Sequence, residues 1–204
     1  MSYISDVLFW ISNGLLVPVV ILLILLFARS LVLIGTFFGQ YLSMRRTEAS
    51  LRDKLKDLNS VEALHKSLPA KSGSLVVAFM RRVIEAQGDK ALTGRLLADF
   101  EVAADKDLAV SKTLTKMGPT LGLMGTLIPM GPALVGLATG DIASMAYNMQ
   151  VAFATTVIGL FSSAIGFITL QIKQRWYLQD LTNLEYVANV ATQKPTHHET
   201  QPAS

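Results

Sequence analysis

The side chains that could do chemistry in this chain are hydroxyls and amides set within two uncharged hydrophobic segments, residues 117–138 and 147–171. In the second segment polar residues recur every seven positions and small residues interleave with them: Asn148, Thr155, Ser162 and Thr169, with Ala152, Gly159 and Gly166. This spacing predicts one helix face of small and hydroxyl residues, with Thr156 and Ser163 about 100° round from it. Such a face can orient water or an ion inside a membrane.

The first segment carries a stripe without bulky side chains, at alternating steps of four and three residues: Gly118, Gly122, Gly125, Pro129, Pro132 and Gly136. Such a stripe lets another backbone approach closely, which is how membrane helices associate. Because Pro129 and Pro132 leave helix carbonyls without a donor, the stripe should face protein or a wet cavity. The two faces together predict a helix bundle around an axis lined with hydroxyls, which makes Asn148, Thr155 and Ser162 candidate ion-pathway residues.

A simpler interpretation applies to each of these residues taken alone. Ser and Thr in membrane helices often bond only a carbonyl of their own helix, and Gly often only packs. Neither segment contains a carboxylate, and hydroxyls cannot load and release a proton as an acid can. If the chain moves protons, either Asp141, between the segments, gates the entrance or another polypeptide supplies the acid. The sequence favours the second arrangement.

The elements that must position these residues are membrane spans. The 204-residue chain is 51% hydrophobic and only 16% charged, and its mean hydropathy is positive, which indicates a membrane protein. A bilayer core of about 30 Å needs roughly 20 apolar helical residues. Three segments qualify, 15–38, 118–139 and 146–170, so the predicted fold class is all-α. The chain has no cysteine, which excludes disulfides and thiolate metal sites.

The distribution of basic residues predicts the orientation of these spans. Fourteen of the 18 Lys and Arg residues lie between Arg45 and Lys116, and none lies in 1–14 or 140–145. By the positive-inside rule, the 39–117 insert and the C-terminus are cytoplasmic. The N-terminus and the short turn between the last two spans are then outside the plasma (inner) membrane.

Arg29 is the one charged residue inside the three predicted spans. It either snorkels to the cytoplasmic headgroups or faces the bundle interior, and the first is favoured because an intramembrane Arg is costly.

The 39–117 insert alternates charge and apolar residues at helical intervals, and nothing breaks its last helix before the second span. We therefore expect one long helix there, and another where 171–192 continues the third span. The polar 193–204 tail is predicted to be disordered.

Two motifs carry a resemblance to a known family. GPTLGLMGTLIPM, from Gly118, resembles the P-x-x-G-L-x-G-T-V-x-G-M signature of the second span in the TolQ/ExbB/MotA proton-channel family. AFATTVIGLFSSAIGF, from Ala152, resembles that family's A-L-x-x-T-A-x-G-L-x-x-A-I-P signature in the third span. The three spans, the basic insert and the cytoplasmic tail are closest in layout to the TolQ/ExbB branch, since MotA-type subunits have four spans.

The resemblance implies a homopentamer around a dimer of a single-span partner of the ExbD/TolR/MotB type. The partner's membrane Asp carries the proton, and ion passage drives rotation that does work at the cell envelope. Thr126 matches the family's second-span Thr and Thr156 its third-span Thr, both expected to face the proton route, and Thr155 is an additional hydroxyl beside it. The expected partners are this single-span protein and membrane lipid. Neither nucleic acid nor a cofactor is expected to bind.

Three positions depart from the family pattern. Pro129 stands where the family has Gly, and Pro132 adds a second kink. TolQ/ExbB proteins usually carry a Glu near the outer end of the third span, where this chain has Val151 with Gln150 beside it. The ion, H⁺ or Na⁺, is therefore left open, as is the envelope process that is powered.

Two rival functions follow from the same residues. In a structural membrane scaffold or assembly subunit, the Gly and Pro stripes would serve packing only. An enzyme is not expected, because the sequence shows no nucleophile–base pair, phosphate loop or metal cluster.

Overall fold

The computed structural model describes residues 2–56, 75–86 and 88–192, and these ranges contain five α-helices and no strand. The helices are α1 (Ser2–Gly14), α2 (Leu16–Lys56), α3 (Leu75–Glu85), α4 (Lys90–Thr139) and α5 (Ile142–Thr192). The prediction of an all-α fold is confirmed. The predicted tail 193–204 and residues 57–74 of the predicted insert lie outside the described residues.

Three of these helices are long and apolar enough to cross a membrane: α2 over Leu16–Tyr41, α4 and α5. The chain is therefore a multi-pass membrane protein, as its composition predicts. Because no helix breaker precedes the second span or follows the third, the sequence predicts two long helices that extend beyond these spans. The structure has both: α4 is 50 residues long and α5 is 51. Which parts of these helices lie in the bilayer stays a prediction.

The turn between α4 and α5 consists of Gly140 and Asp141, because α4 ends at Thr139 and α5 begins at Ile142. The placement of residues 140–145 outside the membrane stays a prediction. Gly140 adopts a φ of 77°, and the N–H groups of Gly140 and Asp141 donate to the carbonyls of Leu137 and Gly136. This pair of bonds is the Schellman ending of a helix, which requires a left-handed residue. The Asp141 carboxylate then caps α5 by accepting the N–H of Ser144 at 3.0 Å.

The chain divides into two compact units, and unit 1 consists of Met1–Gly39 with Leu108–Ile172. In unit 1, α2 packs on α4 and α5 through two apolar clusters: Val19, Leu23, Leu121 and Ile128, then Leu33, Leu114 and Ile165. The rings of Phe27 and Phe161 lie 6.1 Å apart. Residue numbers rise along α2 as they fall along α4 in these clusters, so the two helices run antiparallel.

Arg29 lies between those two clusters along α2, and its side chain is exposed. The clusters place it level with the part of α4 between Leu114 and Leu121, where Lys116 is also exposed. The three helices of a single chain therefore do not bury this charge. Its placement at the cytoplasmic headgroups stays a prediction.

Unit 2 consists of Gln40–Asp107 with Lys173–Ser204. Its core is formed by α3, α4 and α5 through large apolar side chains that are almost fully buried: Met80, Val83, Phe100, Leu184 and Val187. The rings of Phe79 and Phe100 meet edge to face at 5.5 Å, and Tyr41 stacks on Trp176 at 5.9 Å. The apolar stripe of the short amphipathic helix α3 is covered in this way.

Candidate functional site

The predicted site residues lie along one contact between α4 and α5 in unit 1, formed by residues 111–136 of α4 and 145–169 of α5; we call it the seam. At its centre the two backbones touch. A Cβ added to Gly118 would lie 2.6 Å from the Gly159 carbonyl oxygen, and a Cβ added to Gly159 would lie 2.6 Å from that of Gly118 and 2.9 Å from the Cα of Gly122. No residue with a side chain fits at these positions without moving a helix.

The same close approach extends along the seam in both directions. A Cβ on Gly125 would meet the Thr155 side chain at 2.5 Å, and one on Gly166 would meet the Cβ of Leu114 at 2.6 Å. Near the turn, Gly136 approaches the backbone of Met145. Of the two prolines in the α4 stripe, Pro129 is fully buried and Pro132 half-buried, and α4 continues as a helix through both.

One set of hydroxyls on α5 is buried within the single chain. Thr155, Ser162 and Thr169 are 6%, 0% and 3% exposed. Each donates to a carbonyl of its own helix, Thr155 to Val151 and Ala152, Ser162 to Ile158, and Thr169 to Ile165 and Gly166. Thr169 also shares a buried contact of 3.2 Å with the Ser111 hydroxyl. These hydroxyls are satisfied locally, which is the simpler interpretation that the sequence left open.

A second set of hydroxyls is partly exposed at the edge of the seam: Thr126, Thr156 and Ser163. Thr126 donates to the Leu123 carbonyl at 2.8 Å. Thr156 donates to the Ala152 carbonyl at 3.1 Å and lies 3.5 Å from the Gly122 carbonyl oxygen on α4. Ser163 donates across the seam to the Thr115 carbonyl at 3.1 Å.

The structure places three of the predicted pathway residues, Thr126, Thr155 and Thr156, at about the same level along the seam. A Cβ added to Gly125 would contact Thr155, and one added to Gly122 would contact Thr156. Thr126 follows Gly125 directly in the sequence. Asn148 lies two helical turns nearer the turn at Gly140, is half-buried, and donates from Nδ2 to the Ser144 carbonyl at 2.9 Å. Ser162 lies two turns further on in the opposite direction.

Sequence reasoning missed two partners at the seam, Ser111 and the Thr115 carbonyl. Ser111 precedes the second predicted span, so the pattern of that span does not include it. A signal for the Thr115 carbonyl is present, because Pro119 stands four residues later and cannot donate to it. Only the structure shows that Ser163 is the side chain that reaches it.

The site contains few charged side chains and no acid. Residues 118–139 and 146–170 contain no acid, and Asp141 is engaged as the cap of α5. In the part of the chain that the structure describes, no group of three or more Asp, Glu or His side chains could hold a metal ion. What the seam offers is an uncharged row of hydroxyl and carbonyl oxygens, which can orient water or coordinate a cation weakly.

Comparison with known proteins bears on this arrangement. A model of the MotA/TolQ/ExbB proton channel family matches residues 73–185. The match takes in α3, α4 and most of α5, including the whole seam, and covers more than half of the chain. No curated protein sequence matches the chain. On the strength of the family match, the chain belongs to the MotA/TolQ/ExbB proton channel family.

Proposed function

We propose that this protein is the ion-conducting, energy-transducing subunit of a membrane motor. It forms a homopentamer around a dimer of a single-span partner of the ExbD/TolR/MotB type. The complex converts ion-motive force into mechanical work at the cell envelope, and we propose the proton as the ion. The observation that carries the proposal is the placement of Thr126 and Thr156 at one level of a seam that contains no acid, where both are partly exposed, in a chain of a proton channel family.

The chain supplies only part of the pathway. The predicted spans 118–139 and 146–170 hold no acid, and hydroxyl and carbonyl oxygens can orient water without taking up a proton. The carboxylate that loads and unloads the ion therefore belongs to the partner. In this arrangement Thr126 and Thr156 face the partner's acid, whereas Thr155 and Ser162 hold the helices in place behind them.

The surface of unit 1 supports assembly into a ring. Its helices carry large apolar side chains that stay exposed in the part of the chain that the structure describes, among them Leu123, Leu127, Leu134, Phe153, Val157 and Leu160. Lipid or neighbouring subunits must cover this surface. We propose the TolQ/ExbB layout, with the N-terminus outside the inner membrane and unit 2 in the cytoplasm, because the basic residues concentrate in the insert.

The second candidate is a non-conducting scaffold. It is favoured by the backbone contact of Gly118 with Gly159 and by the local hydrogen bonds of Thr155 and Ser162, since both features serve packing. We propose neither an enzymatic activity nor a cofactor for this chain.

The test separates conduction from assembly. The full chain is purified from its native membrane with any small single-span protein that accompanies it, and ion flux is measured in liposomes. Thr156→Val removes the hydroxyl and keeps the shape, so we expect flux to fall at least about tenfold while the ring still assembles. The control is Thr113→Val on the neighbouring helix α4, where an exposed hydroxyl bonds the Ala109 carbonyl of its own helix.

The scaffold candidate predicts a different pattern. Thr126→Val and Thr156→Val would leave function intact, whereas Gly122→Leu or Gly159→Leu would abolish assembly and function together. A monodisperse monomer that purifies without any single-span partner would also contradict the motor proposal.

A further inference from the structure

Three prolines inside α4 each leave the carbonyl four residues earlier without its helical donor, and the first of these carbonyls belongs to Thr115 in the seam. Pro119 lies inside α4, which continues as a helix on both sides of it. Proline has no backbone N–H, so the Thr115 carbonyl, four residues earlier, loses the bond that closes an ordinary helical turn. Such a turn is where a helix kinks or opens unless another group takes over the bond.

Ser163 of α5 takes over this bond. Its hydroxyl donates to the Thr115 carbonyl at 3.1 Å. The neighbouring residue of α4 makes room for it, because a Cβ on Gly118 would lie only 2.9 Å from the Cβ of Ser163. Pro119 frees the carbonyl, Gly118 allows the approach and Ser163 supplies the donor.

The bond distinguishes Ser163 from its neighbours on α5. The hydroxyls of Thr155, Ser162 and Thr169 each donate to carbonyls of α5 itself, which is the usual local pattern. Ser163 instead donates to the other helix, although it is only half-buried. The one comparable contact across the seam from a partly exposed hydroxyl, from Thr156 to the Gly122 carbonyl, is longer at 3.5 Å.

We propose that Ser163 is a positioning residue whose hydroxyl replaces the N–H that Pro119 lacks and so holds the 115–119 turn of α4 closed against α5. Gly122 lies about one turn and Thr126 about two turns beyond Pro119 on α4, so the geometry of the 115–119 turn affects how Gly122 meets Thr156. An open turn would let water reach the Thr115 carbonyl and let α4 bend at Pro119. The expected effect on ion flux rests on the proposed function, but the state of the turn does not.

The experiment is a double-mutant cycle on the full chain. Ser163→Ala removes the side-chain donor, and Pro119→Ala restores a backbone donor to the same carbonyl. Opening of the turn is followed by hydrogen exchange of the α4 amides between residues 116 and 123, and ion flux is measured on the same preparations. Ser163→Thr, which keeps the hydroxyl, and Thr113→Ala, which removes a hydroxyl from a carbonyl that has its helical donor, are the matched controls.

We expect Ser163→Ala to speed exchange in this stretch about tenfold, and to change it less than about twofold in the Pro119→Ala background. Flux should follow the same pattern. Unchanged exchange in Ser163→Ala overturns the proposal, as does an equal effect in both backgrounds. If Ser163→Ala alone cannot be purified, recovery of folded protein in the double variant supports the proposal and failure to recover overturns it. A wild-type chain that shows this exchange pattern without ion flux supports the role of Ser163 and contradicts the proposed function.

Discussion

Helices α4 and α5 contact each other in both units of the chain, and they are held together differently in each. In unit 1 the contact is backbone against backbone at Gly118 and Gly159, with hydroxyls and carbonyls beside it. In unit 2 the same helices meet through large buried side chains such as Phe100 and Leu184. A nearly buried Lys173 also binds Asp107 at 2.8 Å, and Tyr177 donates to the same carboxylate oxygen at 2.7 Å.

Under the proposed layout, with unit 1 in the bilayer and unit 2 in water, the contrast follows from the solvent around each contact. In a bilayer, lipid is as apolar as Leu, so bulky side chains gain little from meeting each other and close backbone approach does the work. In water, burial of Phe and Leu drives association, and an ion pair can be hydrated at its exposed side. The side chains that meet across the seam at Thr155, Thr156 and Ser163 are uncharged, which under the proposed function suits a path whose acid comes from a partner.

The largest effect expected is from adding a side chain where the backbones touch. Gly159→Ala places a Cβ 2.6 Å from the Gly118 carbonyl oxygen, and a rigid backbone atom cannot move aside cheaply. Overpacking typically costs about 1–3 kcal/mol, and we expect the upper end here. The measurement is the thermal unfolding temperature in detergent. Gly35→Ala, where nothing lies within 4 Å, is the control, and equal unfolding temperatures for the two variants would contradict the backbone-contact account.

The next effect concerns the ion pair of unit 2, and it should be asymmetric. Lys173 is 4% exposed and Asp107 is 37% exposed, so Asp107→Ala strands a buried cation, whereas Lys173→Met leaves a carboxylate that water can reach. We expect Asp107→Ala to lower the free energy of unfolding by about 3 kcal/mol, and Lys173→Met by about half as much. Denaturant titration of each variant measures this.

A surface ion pair of the same unit provides the reference for that comparison. Arg95 and Asp99 approach only to 4.0 Å and are 80% and 56% exposed, so Arg95→Ala should change stability by less than about 0.5 kcal/mol. If Asp107→Ala lowered stability as little as Arg95→Ala, the ion pair would add nothing measurable to the apolar contact between α4 and α5 in unit 2.

The smallest effect on stability should come from Thr126→Val. Its hydroxyl donates only to the Leu123 carbonyl of its own helix, so the change should cost less than about 0.5 kcal/mol. Under the proposed function the same change lowers ion flux severalfold, because the hydroxyl faces the route. Stability and flux measured on one preparation check both statements, and a flux loss that merely tracks lost folded protein would favour the scaffold.

Spacing along the sequence predicts much of this architecture but not all of it. The steps of four and three in the α4 stripe predict which glycines meet α5, because that pattern depends only on helix geometry. The division of hydroxyls into buried Thr155 and Ser162 and partly exposed Thr156 and Ser163 depends on where α2 and α4 cover α5. Asp107 and Lys173, 66 residues apart, become partners only through the pairing of the two long helices.

The most direct test of the central claim compares Thr156→Ser with Thr156→Val in the complex purified from its native membrane. Serine keeps the hydroxyl that lies between the Ala152 and Gly122 carbonyls, whereas valine keeps the shape and loses the oxygen. Ion flux per assembled complex should stay within about threefold of wild type in Thr156→Ser and fall at least about tenfold in Thr156→Val. Equal flux in the two variants, with assembly unchanged, would contradict the claim that the hydroxyls of this seam form part of an ion pathway.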